Sequence, residues 1–198
     1  MNEIEQTMAD TPNPKVHYTL LKTVVMVGMM GAGKTAVGRA LAQRLGVAFL
    51  DSDAEIEVAA NRTVPEIFER DGEAFFRGKE TQIIERLLID KRCILSTGGG
   101  AFLSEQNRKN ISAQGISVWL NADLELLWNR VRSKDTRPLL RTDDPKATLK
   151  KLYDQRVPIY SLADLTVGSA TEYSIEDMVD QVIDALIASN DILEVHNA

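Results

Sequence analysis

Cysteine is almost absent: Cys93 is the only one in 198 residues, so no disulfide can close within the chain. A lone thiol suits a reducing compartment, and its place in the apolar run Cys93-Ile94-Leu95 marks it as buried and inert. Histidine is nearly as scarce. His17 and His196 stand near the two ends without clustered partners, which argues against a histidine-built metal site or proton shuttle. No run approaches the ~18 consecutive apolar residues needed to span a bilayer, so no membrane partner is expected. Positive charge is in deficit, 23 basic residues against 29 acidic for a net −6, and the bulk field does not favour nucleic acid. Any anion site must therefore draw on positive charge concentrated locally.

With 44% hydrophobic and 26% charged residues, the composition is that of one ordinary globular domain. The first 20 residues carry Glu3, Glu5, Asp10, Pro12 and Pro14, are too acidic for a transit peptide, and read as a flexible arm. Residues 21–189 read as a single domain and 190–198 as a fraying tail. A cytoplasmic monomer is expected.

Short apolar runs alternate with longer amphipathic segments. The runs Thr23–Val27, Val47–Leu50, Cys93–Leu95, Ile116–Leu120 and Leu165–Val167 have the length and composition of buried strands. Helical patterns fall near 34–45, 53–60, 64–70, 72–89, 104–114, 123–132, 145–161 and 174–189. Ser104 and Ser174 stand where a first helical turn needs an acceptor, and Pro65 and Pro145 where it needs no donor. Strands separated by helices imply a parallel sheet with helices on both faces. The predicted class is α/β, in three layers, with about five strands. The irregular stretch 133–144 is long for a small α/β domain and is a candidate lid.

Gly28-Met-Met-Gly-Ala-Gly-Lys34-Thr35 matches the phosphate-loop pattern at every defined position. Glycines let consecutive amides turn inward toward phosphate oxygens, and the following helix adds its free N-terminal amides and dipole. Lys34 would bridge the β- and γ-phosphates of ATP, and the Thr35 hydroxyl would ligate magnesium. An apolar run ends at Gly28 and the amphipathic pattern Val37, Leu41, Leu45 follows, which is the context such a loop requires.

The acceptor side is sought at the carboxyl ends of the other strands, where ligands of parallel sheets bind. The second run ends in Asp51-Ser52-Asp53. These carboxylates could hold a magnesium shell or a substrate hydroxyl, although Asp53 could instead cap the helix that follows. The third run continues into Ser96-Thr-Gly98-Gly99-Gly100, where bare backbone could approach a ligand or simply turn. From Arg130 to Arg141, both ends included, there are five basic residues and one acid, Asp135, the charge a lid over a triphosphate would carry. Arg137, beside Pro138, is the candidate to neutralise the transferring group. Arg77 and Arg156 stand apart. Each could equally make a helix-surface ion pair, Arg77 with Glu73 or Glu80, Arg156 with Asp154.

The ordered set Gly28 to Thr35, Asp51-Ser-Asp53, Phe76-Arg77 with Glu80, Gly98-Gly-Gly100, Arg137-Pro-Leu-Leu140 and Arg156-Val-Pro-Ile-Tyr160 resembles shikimate kinase. The resemblance runs from about residue 22 to 188. It implies a three-layer nucleoside-monophosphate-kinase-like fold and transfer of the ATP γ-phosphoryl group to the 3-hydroxyl of shikimate, in aromatic amino-acid biosynthesis. It further implies that Gly28, Met29, Met30, Gly31, Ala32, Gly33, Lys34, Thr35 and Ala36 hold ATP, together with Arg137. Asp53, Arg77, Arg156 and Gly98 to Gly100 would hold shikimate, with Lys34, Asp53 and Arg137 catalytic. Thr35 would ligate one Mg2+ directly, and Asp51 and Ser96 would support it through water. Arg130 or Arg132 would lie near adenine.

Two other readings compete. One is a different small-molecule kinase of this architecture, for gluconate or a nucleoside monophosphate. It has no evident need for Asp53, Arg77 and Arg156 together. The other is a non-catalytic module that binds the same ligand, and it has no evident need for Lys34, Thr35, Asp53 and Arg137 to be intact.

Overall fold

The computed structural model describes residues 16–90, 92–133 and 138–197. A five-stranded parallel sheet is built from β2 (Thr23–Val27), β3 (Ala48–Asp51), β4 (Cys93–Ser96), β5 (Gly115–Ala122) and β6 (Leu165–Ser169), in the order β3-β4-β2-β5-β6. The central strand β2 is buried along its whole length, as a strand covered on both faces must be, and its Thr-Val-Val-Met-Val sequence is the near-continuous apolar run this demands. Its register sets Met26 beside Ser96 of β4 and Val118 of β5, so the carboxyl ends of β2 and β4 finish side by side while β5 runs on to Ala122.

The helices are α1 (Lys34–Leu45), α2 (Ser52–Ala60), α3 (Val64–Asp90), α4 (Glu105–Gln114), α5 (Leu124–Val131), α6 (Pro145–Tyr160) and α7 (Ile175–Ala188). α1 packs on β3, β4 and α7, while α4 packs on β5 and α3, so both faces of the sheet are covered. The termini follow local chemistry. Ser104, Asp123, Asp144 and Ser174 each accept an amide hydrogen bond at the start of α4, α5, α6 and α7, and Pro145 occupies the first turn of α6. The stretches read separately as 64–70 and 72–89 run together as α3, broken at Gly72, whose φ of 82° and ψ of 171° interrupt the helix. A short 3-10 turn at Pro138–Leu140 leads toward α6.

One part departs from expectation. Residues 16–20 and 193–197, read from the sequence within an arm and a tail, form β1 (Val16–Leu20) and β7 (Leu193–Asn197), an antiparallel pair in the register Tyr18 to Val195 and Leu20 to Leu193. Backbone pairing together with burial of Leu20 and Leu193 orders these segments. Residues 1–15 of the expected arm lie outside the described residues, as do 134–137 of the expected lid. Among the described residues no helix is long and apolar enough to cross a membrane.

Candidate active site

The phosphate loop is strained in the way its glycines allow. Gly28, Gly31 and Gly33 take φ of 140°, 83° and 99°, which side chains with a Cβ resist. Gly33 is the left-handed N-cap of α1 and no side chain caps that helix, so its first amides are available to an anion. A Cβ at Gly31 would fall 2.7 Å from Val131 Cγ1, which shows how closely the loop lies on α5. Lys34 Nζ donates to the carbonyls of Gly28 and Met29 at 2.9 and 3.0 Å, and this holds the ammonium over the loop.

Arg130, on α5, reaches the same loop. Its Nη1 is 3.3 Å from the Gly31 carbonyl and 3.4 Å from Ser169 Oγ, and burial lowers its pKa from the ordinary value. Arg132, two residues on, is exposed at the end of the helix. Of the two arginines that the sequence left open, Arg130 is the one on the cavity wall.

A cavity of about 580 Å³ opens above the sheet. It is lined by Met30 to Ala36, Asp51, Asp53, Ser96 to Gly99, Arg130, Ser169, Tyr173 and Met178, among others. Asp51 and Ser96 face each other across the β3–β4 register. Asp51 Oδ1 accepts from the amides of Asp53 and Ala54 at 3.0 and 3.3 Å, so Asp51 caps α2, a place weighed for Asp53. Asp53 is thereby left to the cavity. Its Oδ1 is buried with no hydrogen-bond partner among the described residues. Burial foremost, and then the charge of Asp51, raise its pKa, against the pull of Arg77 and Lys34. A carboxylate so placed is a stronger proton acceptor than one in water.

The glycine run after β4 gathers the remaining candidates. A Cβ on Gly98 would lie 2.9 Å from Asp53 Oδ1, one on Gly99 3.5 Å from Arg156 Nη1, and one on Gly100 2.5 Å from Arg77 Nη2. Three successive bare positions thus face one carboxylate and two guanidinium groups. Arg77 makes both ion pairs that the sequence allowed, with Glu80 at 2.8 Å and Glu73 at 3.5 Å, yet still lies against Gly100. Glu80 is only 1% exposed and its Oε1 has no partner among the described residues. Burial raises its pKa, and Arg77 opposes the shift. Arg156 does not pair with Asp154, which bonds Lys150 at 2.5 Å. Its guanidinium instead lies against Gly99, where the Tyr160 hydroxyl also stands, at 3.5 and 3.6 Å from the position of a Cβ.

The cavity therefore brings together Met30 to Ala36, Asp51, Asp53, Gly98 and Gly99, with Arg77, Arg156 and Gly100 adjoining it through the glycine run. Gly28 and Met29 stand behind the loop as acceptors for Lys34. Arg137 lies outside the described residues. Sequence reasoning gave no role to Tyr160, although it closes the last motif, nor to the wall from Ser169 to Met178. Thr35 and Asp51 offer a hydroxyl and a carboxylate to one cavity, hard oxygen donors that suit a magnesium ion completed by phosphates and water.

A family model described as shikimate kinase matches residues 30–187. A shikimate kinase of Ruegeria pomeroyi is 67% identical over 195 residues, covering 98% of this chain and 100% of its own length. The solved shikimate kinase from Acinetobacter baumannii in complex with shikimate superposes with a TM-score of 0.79 at 38% identity, covering 86% of this chain and 95% of that one. A gluconokinase from Sinorhizobium meliloti reaches a TM-score of 0.57 at 16% identity, covering 85% and 93%, a likeness of fold alone.

Proposed function

The chain belongs to the shikimate kinase family, and from that premise we propose that it moves the γ-phosphoryl group of ATP onto the 3-hydroxyl of shikimate. The observation that carries the reading is the glycine run, which sets Asp53, Arg156 and Arg77 along one short stretch of backbone beside the phosphate loop. Shikimate is a small ring with one carboxylate and three hydroxyls. Two guanidinium groups suit the carboxylate, and an unpartnered buried carboxylate oxygen suits a hydroxyl.

In this reading the amides of residues 28–36 and Lys34 hold the phosphates, and Arg130 lies beside the base. Arg77 and Arg156 clamp the shikimate carboxylate and turn the ring so that its 3-hydroxyl meets Asp53. The hydroxyl oxygen bonds to the γ-phosphorus as the bond to the β–γ bridging oxygen breaks, and ADP leaves. Asp53 accepts the hydroxyl proton, a role favoured by its raised pKa. A magnesium ion held by Thr35, and through water by Asp51, would neutralise phosphate charge. Arg137 adds positive charge over the transferring group. Its assignment is supported by the Arg-Pro-Leu-Leu motif and by the packing of Val131, a few residues upstream, against Gly31. We assign the protein to the cytoplasm as a monomer without nucleic-acid or membrane partners.

A coupled assay of ADP release tests the proposal. Purified protein with magnesium and ATP should turn over shikimate and leave gluconate untouched. Turnover of gluconate in place of shikimate would overturn it.

A further inference from the structure

Tyr160 is the last residue of α6, has no exposed surface, and is the largest side chain buried so completely among the described residues. A buried phenol needs partners for one donor and its lone pairs. Here the donor goes to the Gly99 carbonyl at 2.5 Å, and Arg156, one helical turn earlier, brings its guanidinium to the same glycine: Arg156 Nη1 and the Tyr160 hydroxyl stand 3.5 and 3.6 Å from where a Cβ on Gly99 would be. Burial pushes the hydroxyl pKa up, which keeps the proton available to Gly99.

The ring extends the connection to the phosphate-donor side. It packs on Trp119 with centroids 6.4 Å apart, and Trp119 Cδ1 lies 3.3 Å from where a Cβ on Gly28 would be. The Gly28 carbonyl, which accepts from Lys34, lies 3.8 Å from the corresponding point on Gly99. Gly99, bonded by Tyr160, thus lies close to both Gly28, which Lys34 bonds, and Arg156, between the phosphate loop and the acceptor cation. An arginine side chain loses much rotational freedom when it binds, unless another group already holds it.

We infer that Tyr160 is a positioning residue for the acceptor substrate, its hydroxyl fixing the Gly99 backbone against which the Arg156 guanidinium lies, in the arrangement that receives a carboxylate. This rests on the reading of Arg156 as a carboxylate ligand. Tyr160 itself touches no reacting atom.

The test uses the full chain with Tyr160→Phe, which keeps the ring on Trp119 and removes one oxygen, and Arg156→Ala in parallel. Steady-state kinetics are measured with shikimate and with its methyl ester. Tyr160→Phe should raise the shikimate KM roughly five- to tenfold, the size expected for loss of one buried hydrogen bond that leaves the Gly99 carbonyl without its partner, with the ATP KM unchanged. With the methyl ester the two proteins should converge, and adding Tyr160→Phe to Arg156→Ala should cost nothing further. An unchanged shikimate KM in Tyr160→Phe, beside a raised one in Arg156→Ala, would overturn the role of Tyr160 alone. An equal penalty on shikimate, ester and ATP would show a merely structural tyrosine. An unchanged shikimate KM in Arg156→Ala would overturn the carboxylate reading itself.

Discussion

Gly100→Ala is a methyl group aimed at one guanidinium. The new Cβ would lie 2.5 Å from Arg77 Nη2, 2.7 Å from Nη1 and 2.8 Å from Cζ. Ordinary contact begins near ~3.5 Å, so the guanidinium must retreat by about 1 Å. It cannot do so freely, because Glu80 holds Nη1 at 2.8 Å and is itself almost fully buried. The backbone at Gly100 has φ −89° and ψ −18°, values any residue adopts, so the substitution adds no conformational strain. The effect should therefore fall on the site and spare the fold. A displacement of ~1 Å in a positioning group can cost up to about a hundredfold in rate. We expect kcat/KM for shikimate to fall by roughly ten- to a hundredfold, mostly through KM, with the ATP KM unchanged. The melting temperature should drop only a few degrees, since ~1 kcal/mol moves a chain of this size by about 2–4 °C. The coupled assay, varying each substrate with the other saturating, reads both constants. A normal shikimate KM in the folded variant would refute the placement of Arg77 at the acceptor, and an equal loss for ATP would refute its selectivity.

Further outcomes follow from the same geometry. Lys34→Ala should lower turnover by about 10²–10³-fold while circular dichroism stays unchanged, since Lys34 opens α1 on the cavity wall and is not part of the buried core. Arg77→Ala should weaken shikimate binding, measured by calorimetry, far more than ATP binding, and should also lower the melting temperature because it strands the buried Glu80. Asp53→Asn should abolish most turnover yet melt higher than the parent at neutral pH. The sign follows from the raised pKa of Asp53: the folded chain binds that proton more tightly than the unfolded one. The contribution is favourable at acid pH and lost as pH rises through the folded value. Melting curves of the two proteins should therefore meet near pH ~4, where the unfolded carboxylate titrates, and separate upward from there. Curves that separate in the opposite direction would mean that Arg77 and Lys34 outweigh burial.

Local signals carried most of the fold. α1 begins at the Lys34 read from the loop pattern and ends at Leu45, and Ser104, Ser174 and Pro145 marked helix starts because capping depends on neighbours in the chain. The β1–β7 pair was illegible for the opposite reason. Tyr18 and Val195 are far apart in sequence, and although Val16–Leu20 and Leu193–His196 alternate apolar with polar residues, nothing local to either segment names its partner. At the site, motif residues were identifiable but their exact duties were not. Asp51 and Asp53 are both carboxylates after a strand, and only the turn geometry decides which one caps α2. Arg130 could have been preferred over Arg132 by helical period, since it flanks the buried face of Leu126, Leu127 and Val131. The pairing of Gly98, Gly99 and Gly100 with Asp53, Arg156 and Arg77 depends on three separate elements meeting, and no local pattern encodes it.

The most direct test of the proposed reaction is phosphorus–proton correlation spectroscopy of a mixture of purified protein, magnesium, ATP and shikimate. One new phosphate monoester, coupled to the proton at ring position 3 and formed in step with ADP, is the predicted result. ADP accompanied only by inorganic phosphate, or an ester at another hydroxyl, would contradict the assignment of Asp53, Arg77 and Arg156 to the acceptor.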